Sequence, residues 1–206
     1  MNKILIEAKH NKTSEYHFIK AIIDKHFSDK EVCFVFMDGI DNLFKETIIN
    51  QISLGKIDGI QTLVLADADT IAKGWGFEKR KEMIINGKSS HNVDFPFYLY
   101  PYNYNDGDVE TLISKCCRRD LHNTFFDCFD DYEKCISGKK DDNGNQIYNT
   151  PNIKGKLHTY ISSQQLNKKQ RDKLGSGDWL FDDPYYWNLD APALMPLIDF
   201  LAKNLK

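Results

Sequence analysis

Two aspartates separated by one residue follow a short apolar segment. Residues 63–66 are Leu, Val, Leu and Ala, and Asp67 and Asp69 come directly after them. Carboxylates at the end of a buried strand serve as metal ligands or as nucleophiles in phosphoryl transfer, and an Asp after a strand also commonly caps the next helix. The pair therefore has three interpretations: metal ligand, nucleophile or helix cap.

Acidic residues also follow two other apolar segments. Glu7 comes after residues 3–6, and a group of three acids comes after residues 95–100: Asp106, Asp108 and Glu110. The carboxyl ends of parallel strands lie along one edge of a sheet, where ligands of open α/β folds bind. If the first, third and fourth strands are neighbours and the second lies outside them, the three acidic groups converge in one pocket.

Carboxylates that converge in this way require a compensating charge. Close carboxylates repel one another and raise each other's pKa unless a cation lies among them. Hard oxygen ligands favour Mg²⁺ or Mn²⁺. The spacing of Asp67 and Asp69 lets one acid coordinate directly while the other binds through water or holds a second ion. We therefore expect a Mg²⁺ or Mn²⁺ site at this edge of the sheet.

Basic residues close to these acids are candidates for contacts with phosphate. Lys9 follows Glu7, Lys73 and Arg80 follow the Asp pair, and Lys156 begins a later helical segment. Such residues bind the phosphates of nucleic acids, although they also occur simply as the solvated face of a helix. Nucleic acid is therefore a candidate partner, and no protein partner is indicated.

Composition and charge restrict the class of protein. The 206 residues are 41% hydrophobic and 28% charged, with a net charge of -3, which is typical of a globular protein and gives no overall attraction to nucleic acid or anionic membrane. No apolar run approaches the roughly 20 residues of a membrane helix, and the N-terminal segment is too short and acidic for a signal peptide. We expect a cytoplasmic protein. Its five cysteines include no C-x-x-C spacing, so neither a disulfide framework nor a zinc site is indicated.

Strand-like and helical segments alternate along the first half of the chain. Apolar runs at 3–6, 32–37, 63–66 and 95–100 predict strands, and three- and four-residue periodicity predicts helices between them. This order is typical of a three-layer α/β domain whose mainly parallel sheet has four strands or slightly more. We expect a single domain, 1–206, with a core at 1–120 and a C-terminal extension of helices and loops at 121–206.

Two known families resemble parts of this pattern. The sequence Asp67-Ala-Asp-Thr70 after an apolar run resembles the first motif of haloacid-dehalogenase-type phosphatases, which implies that Asp67 is the nucleophile and Asp69 the general acid. That family requires a Ser or Thr at the end of a later strand, where this chain has Tyr100 and Pro101. Glu7 would also have no role, so this function ranks third.

A more extensive resemblance is to the Toprim domain. It rests on Glu7 after the first strand, Asp67 and Asp69 after the third, and the acidic segment after Phe97-Tyr-Leu-Tyr-Pro101. The segments 97–113, 154–156 and 194–201 resemble an uncharacterised family of small stand-alone bacterial proteins related to Toprim domains and OLD-type nucleases. Ala8 replaces the glycine of the usual Toprim motif, and the next acid, Glu15, comes after the additional residues 9–14.

The Toprim resemblance implies a function and a set of site residues. Glu7, Asp67 and Asp69 are the implied catalytic residues, and the implied ligands of Mg²⁺ or Mn²⁺ are Glu7, Asp67, Asp69, Asp108 and Glu110. The implied activity is metal-dependent cleavage of nucleic-acid phosphodiesters. The alternative is a non-catalytic module that keeps the fold and binds a metal, a nucleic acid or a protein.

Overall fold

The computed structural model describes residues 1–206, which form four β-strands and eight α-helices. The strands are β1 (Asn2–Ile6), β2 (Val32–Phe36), β3 (Gln61–Asp67) and β4 (Phe97–Tyr100). The helices are α1 (Ser14–His26), α2 (Glu46–Ile57), α3 (Phe77–Ser90), α4 (Val109–Ser114), α5 (Arg119–Ser137), α6 (Ile153–Ser162), α7 (Lys168–Gly175) and α8 (Met195–Asn204). Short 3₁₀ turns occupy Ile40–Asn42, Ile71–Lys73 and Pro192–Leu194.

The four strands form one parallel sheet in the order β2-β1-β3-β4. β1, β3 and β4 are adjacent and β2 lies at the outer edge, which is the order under which the acidic groups were expected to converge. The chain adds β2 on one side of β1 and then crosses to add β3 on the other side. The strand order therefore reverses between β1 and β3, which is the position where open α/β sheets bind ligands.

Helices cover both faces of the sheet, which confirms the three-layer arrangement. Alternate strand residues such as Ile4 and Leu65 belong to a cluster of 32 buried residues that includes α1, α4 and much of the C-terminal extension. The residues between them, such as Leu5 and Val64, belong to a second cluster of 13 buried residues with α2 and α3. Strands covered on both sides explain why these segments are continuously apolar.

Element boundaries near the acidic residues differ slightly from the sequence prediction. β3 extends to Asp67, so this aspartate is the last residue of the strand and not the first residue after it. β4 begins at Phe97, after Pro96, and lies at the second edge of the sheet. Proline cannot donate a backbone hydrogen bond, which fits its position just before an edge strand.

The last residue of the chain is fixed to the first strand. Asn2 is fully buried, and its Nδ2 donates to the carbonyl oxygens of Glu31 and Lys206, each at 3.0 Å. Its Oδ1 accepts from the N–H of Lys206 at 2.9 Å. All five cysteines are free thiols, and no helix combines the length and the apolar character that a membrane span requires.

Candidate functional site

Three distant segments are joined by hydrogen bonds at the carboxyl edge of the sheet. Glu7, directly after β1, accepts the backbone N–H of Asp67 on its Oε1 at 2.6 Å. Asp67 in turn accepts the N–H of Val109, the first residue of α4, on its Oδ1 at 2.8 Å. The parallel pairing of β1 and β3 ends at Ile6 and Leu65, so Glu7 and Asp67 lie one and two residues beyond the last pair. The structure thus brings together Glu7 after β1, Asp67 at the end of β3 and the start of α4.

Glu15 is a fourth acidic residue of this edge, and sequence reasoning did not include it among the site residues. Thr13 caps α1, which places Glu15 in the first turn of that helix, and its Oε1 accepts the N–H of Glu7 at 3.4 Å. Burial, followed by the negative charge of Glu7, raises the pKa of Glu15 from 4.5 to about 8. Its only sequence signal is an acid that follows Glu7 at a greater distance than in the usual Toprim motif.

Glu7, Glu15, Asp67 and Glu110 form what we call the acidic cluster. Burial raises the pKa of Asp67 well above its usual value, and the charges of Glu7, Glu15 and Glu110 raise it further. Burial also raises the pKa of Glu7, although the hydrogen bond from Asp67 and the charge of Arg80 oppose this effect. Glu15, with its pKa of about 8, therefore keeps its proton at neutral pH when no cation accompanies the cluster.

A buried phenol without a partner lies beside the acidic cluster. Tyr100 pairs with Asp67 in the register of β4 and β3, and its side chain is fully buried. Burial raises the pKa of Tyr100, and the negative charges of Glu15, Asp67 and Glu7 add to this effect. The hydroxyl makes no hydrogen bond. A buried polar group of this kind indicates a missing partner, such as water or a bound ligand.

Asp69 is held by two cations next to the acidic cluster. Its Oδ2 accepts from Arg80 Nη2 at 2.6 Å, and its Oδ1 accepts from Lys73 Nζ at 3.0 Å. The Arg80 side chain is buried, its Cζ lies 3.8 Å from the centroid of a Trp75 ring, and its Nε and Nη1 have no hydrogen-bond partner. Two of the candidate phosphate contacts therefore neutralise a candidate metal ligand in this structure.

The acids that follow β4 have different roles from one another. Asp108 caps α4, because its Oδ1 accepts from the N–H of Thr111 at 3.0 Å and from the hydroxyl of Thr111 at 2.7 Å. Asp106 accepts the N–H of Phe77 at 2.7 Å, at the start of α3. Glu110 alone joins the acidic cluster, and its Oε1 accepts from Lys154 Nζ at 2.7 Å. Asp108 is the N-cap of α4, and Asp106 and Asp67 each accept the first backbone N–H of a helix, α3 and α4 respectively.

The remaining candidate phosphate contacts pair with acids outside the acidic cluster. Lys9 is exposed and lies 3.6 Å from a carboxylate oxygen of Asp38. Lys156 donates to Asp130 and Glu133 and lies 5.0 Å from the ring of Phe129, so it connects α6 to α5. Lys156 is largely shielded from solvent by these contacts, which gives it a structural role in the packing of the C-terminal extension.

In the observed side-chain positions, no group of three or more His, Cys, Asp or Glu residues is arranged to hold a metal ion. Four cluster oxygens, one from each acid, already accept hydrogen bonds: Oε1 of Glu7, Oε1 of Glu15, Oδ1 of Asp67 and Oε1 of Glu110. The donor chemistry nevertheless suits a hard cation, because the cluster offers only carboxylate and phenol oxygens. Coordination of an ion requires rearrangement of these side chains.

Comparison with known proteins gives one match. The model of the family described as "Protein of unknown function (DUF3226)" matches residues 1–206, so the chain belongs to this family. No curated protein and no solved structure matches the chain.

Proposed function

We propose that this DUF3226 protein binds Mg²⁺ or Mn²⁺ at the acidic cluster and uses the ion in phosphodiester chemistry on nucleic acid. The observation that carries the proposal is the convergence of four carboxylates from β1, α1, β3 and α4 at the reversal point of the sheet, with a buried phenol that lacks a partner. Mutually close acids with raised pKa values occur more often at functional sites than elsewhere. Coordination of a divalent cation would remove their mutual repulsion.

The chain's own residues have distinct parts in this proposal. Glu7, Glu15, Asp67 and Glu110 would hold the ion, which supplies an activated water and neutralises charge on the phosphodiester. Glu7 also fixes the backbone of Asp67, and Asp67 fixes the start of α4. Asp69 orients Lys73 and Arg80 at the edge of the site. Lys73, whose side chain is 57% exposed, is the cation best placed to meet a phosphate from solvent.

The choice of nucleic acid as substrate rests on the Toprim resemblance in the sequence. That resemblance implies a catalytic role for Glu7 and Asp67, both of which belong to the acidic cluster. Asp69 and Asp108 are held within the protein instead, one by Arg80 and Lys73 and the other as the cap of α4. Glu15 is included among the proposed ligands because its carboxylate accepts the backbone N–H of Glu7.

A second candidate function is a binding module without catalysis. The observation that favours it is the internal neutralisation of two expected metal ligands, Asp69 by Arg80 and Lys73, and Glu110 by Lys154. In such a protein the acids would stabilise the loops at the carboxyl edge of the sheet, and the protein would bind a nucleic acid without cleaving it. Cleavage of the nucleic acid distinguishes the two functions.

Thermal unfolding with and without Mn²⁺ tests the cation site. At about 100 times its Kd, a cation that binds only the folded state adds about 2.7 kcal/mol, or roughly 5–10 °C in Tm for a chain of this size. Asp67→Asn should lose this shift, whereas Asp172→Asn, an exposed acid on α7, should keep it. The absence of a shift in the unchanged protein would contradict the proposal.

Incubation with nucleic acids then tests the activity. Labelled RNA, single-stranded DNA and duplex DNA are each mixed with the protein and Mn²⁺ and separated by size. Shortened products that disappear in Asp67→Asn support phosphodiester chemistry. Retarded but intact strands support the binding module instead.

A further inference from the structure

We infer that Tyr102 and Tyr104 form a stacking platform for unpaired bases of a nucleic acid, next to the acidic cluster. Their rings stack on each other with centroids 6.0 Å apart and planes 30° apart, and Tyr104 is 66% exposed. An aromatic ring that packs only on a second ring leaves its outer face free for a ligand. The inference rests on the proposed function only for the identity of the ligand as a nucleic acid.

The turn between the two tyrosines holds this platform in place. Asn103 adopts a left-handed conformation with φ of 64°, which changes the direction of the chain between the two rings. Its N–H donates to the carbonyl of Leu99 at 2.7 Å, and its Oδ1 accepts the N–H of Leu99 at 3.1 Å. Tyr102 packs against the larger core cluster. The turn is therefore held by the backbone of Leu99 and by the packed ring of Tyr102, and the ring of Tyr104 is the one exposed to solvent.

The loop that carries the platform is fixed at one end to Asp67 of the acidic cluster and at the other end to Asp69, next to the cluster. On one side, Tyr100 pairs with Asp67 in the sheet. On the other side, the N–H of Gly107 donates to the carbonyl of Asp69 at 2.7 Å. Tyr104 is four residues from Tyr100 and three from Gly107, so an extended chain places it at most about 14 Å and 11 Å from them. A short oligonucleotide therefore spans the platform and the cluster together.

The chemistry of the platform favours single strands over duplexes. The bases of a duplex are stacked inside the helix, whereas unpaired bases offer their faces to aromatic side chains. The net charge of -3 and the acidic cluster give little attraction to the phosphate backbone. Stacking must therefore provide much of the affinity, and the affinity should depend only weakly on salt concentration.

Fluorescence anisotropy with a short labelled oligothymidylate, in EDTA, tests the platform without any contribution from a cation. We expect Tyr104→Ala to weaken binding by roughly 5- to 150-fold, the range for loss of one base–aromatic stack. Tyr104→Phe keeps the ring and should keep the affinity. Tyr132→Ala removes a tyrosine of α5 that is 48% exposed and should also keep it. An abasic strand of the same length should bind as weakly to the unchanged protein as oligothymidylate binds to Tyr104→Ala.

Several outcomes would overturn the inference. The first is that the unchanged protein and Tyr104→Ala bind oligothymidylate with equal affinity. The others are that the unchanged protein binds the abasic strand as tightly as oligothymidylate, binds a duplex more tightly than oligothymidylate, or binds no strand at all. Failure of the cation site is detected separately, because it abolishes the Mn²⁺ shift in Tm but leaves the dependence on Tyr104 in EDTA intact. A melting curve of Tyr104→Ala that matches the unchanged protein excludes misfolding as the cause of weaker binding.

Discussion

Glu15→Gln replaces a carboxyl group that the fold makes difficult to ionise. The pKa of Glu15 is about 8 in the folded protein and close to its ordinary value of 4.5 when the chain is unfolded. Between these two values the folded state keeps a proton that the unfolded state releases. The free energy of unfolding therefore falls as pH rises from about 4.5 to 8 and levels off above the folded pKa. Glutamine is neutral at every pH and removes this contribution.

The expected size of the effect follows from the number of protons retained. One retained proton changes the free energy of unfolding by up to about 1.4 kcal/mol per pH unit, which is roughly 3–5 °C in Tm for a chain of this size. Glu15→Gln should match the unchanged protein near pH 4.5 and exceed its Tm increasingly up to pH 8. Part of the slope remains in the variant, because the pKa values of Glu7 and Asp67 are also raised.

Thermal unfolding in EDTA at intervals between pH 4.5 and 8.5 measures this effect. Glu82→Gln makes the same chemical change on the exposed side of α3 and serves as the matched control. Parallel profiles for Glu15→Gln and the unchanged protein would refute the reasoning. A cation competes with the retained proton, so Mn²⁺ should raise the Tm of the unchanged protein more at pH 8 than at pH 5.5. The variant should show a smaller shift at both values.

Three further predictions concern stability and can be measured by urea denaturation. Arg80→Ala should lower the free energy of unfolding by about 3–5 kcal/mol, because Asp69 loses a partly buried partner; a loss below about 1 kcal/mol would show that the pair is solvated. Asn2→Ala should lower the free energy of unfolding by about 1–3 kcal/mol, because the carbonyl oxygens of Glu31 and Lys206 and the N–H of Lys206 lose their partner; an unchanged midpoint would contradict this. Gly177→Ala should cost more than Gly144→Ala: both glycines have positive φ (81° and 83°), but only at Gly177 would a Cβ lie 2.9 Å from neighbouring backbone atoms. Equal losses in the free energy of unfolding would mean that the neighbouring backbone at Lys12 and Thr13 moves away from the added Cβ.

The strands, their parallel arrangement and the layers could be predicted from sequence because they depend on simple patterns, whereas the strand order entered only as a condition. Continuous apolar segments such as 63–66 indicate strands that are covered on both faces, and helical periodicity between them indicates crossovers. The parallel arrangement then places Glu7 and Asp67 at the same edge, as the structure confirms. These predictions use only local hydrophobic patterns and the general rule that strands joined by helical crossovers are parallel.

The partners of individual acids could not be predicted in the same way. Asp69 pairs with Arg80 because the intervening loop turns through a left-handed residue at Asp69 and two glycines with positive φ, Gly74 and Gly76. The hydrophobic periodicity of the sequence does not indicate where such a turn occurs. Asp108 has a Thr three residues later, which fits a helix cap as well as a metal site. Glu15 was missed because its approach to Glu7 depends on the angle between β1 and α1.

The C-terminal extension shows a similar limit. The sequence predicted helices and loops there but not the packing partners of the helices. The expected phosphate contact Lys156 instead connects α6 to Asp130 and Glu133 of α5, and Lys154, two residues earlier, reaches Glu110. Sequence spacing places these two lysines on different sides of α6, and only the packed structure shows which one meets the acidic cluster.

The hydrogen bonds that join Glu7, Asp67 and Val109 have a consequence for folding. They connect residues that are 60 and 42 positions apart in the chain, so the first bond requires β1 to pair with β3 and the second requires α4 to dock at the end of β3. Contacts of such long range carry a loop-closure cost and form late. The acidic cluster is therefore absent from partly folded chains. A cation bound at the acidic cluster, as proposed above, would therefore select molecules in which β1, β3 and α4 are already joined.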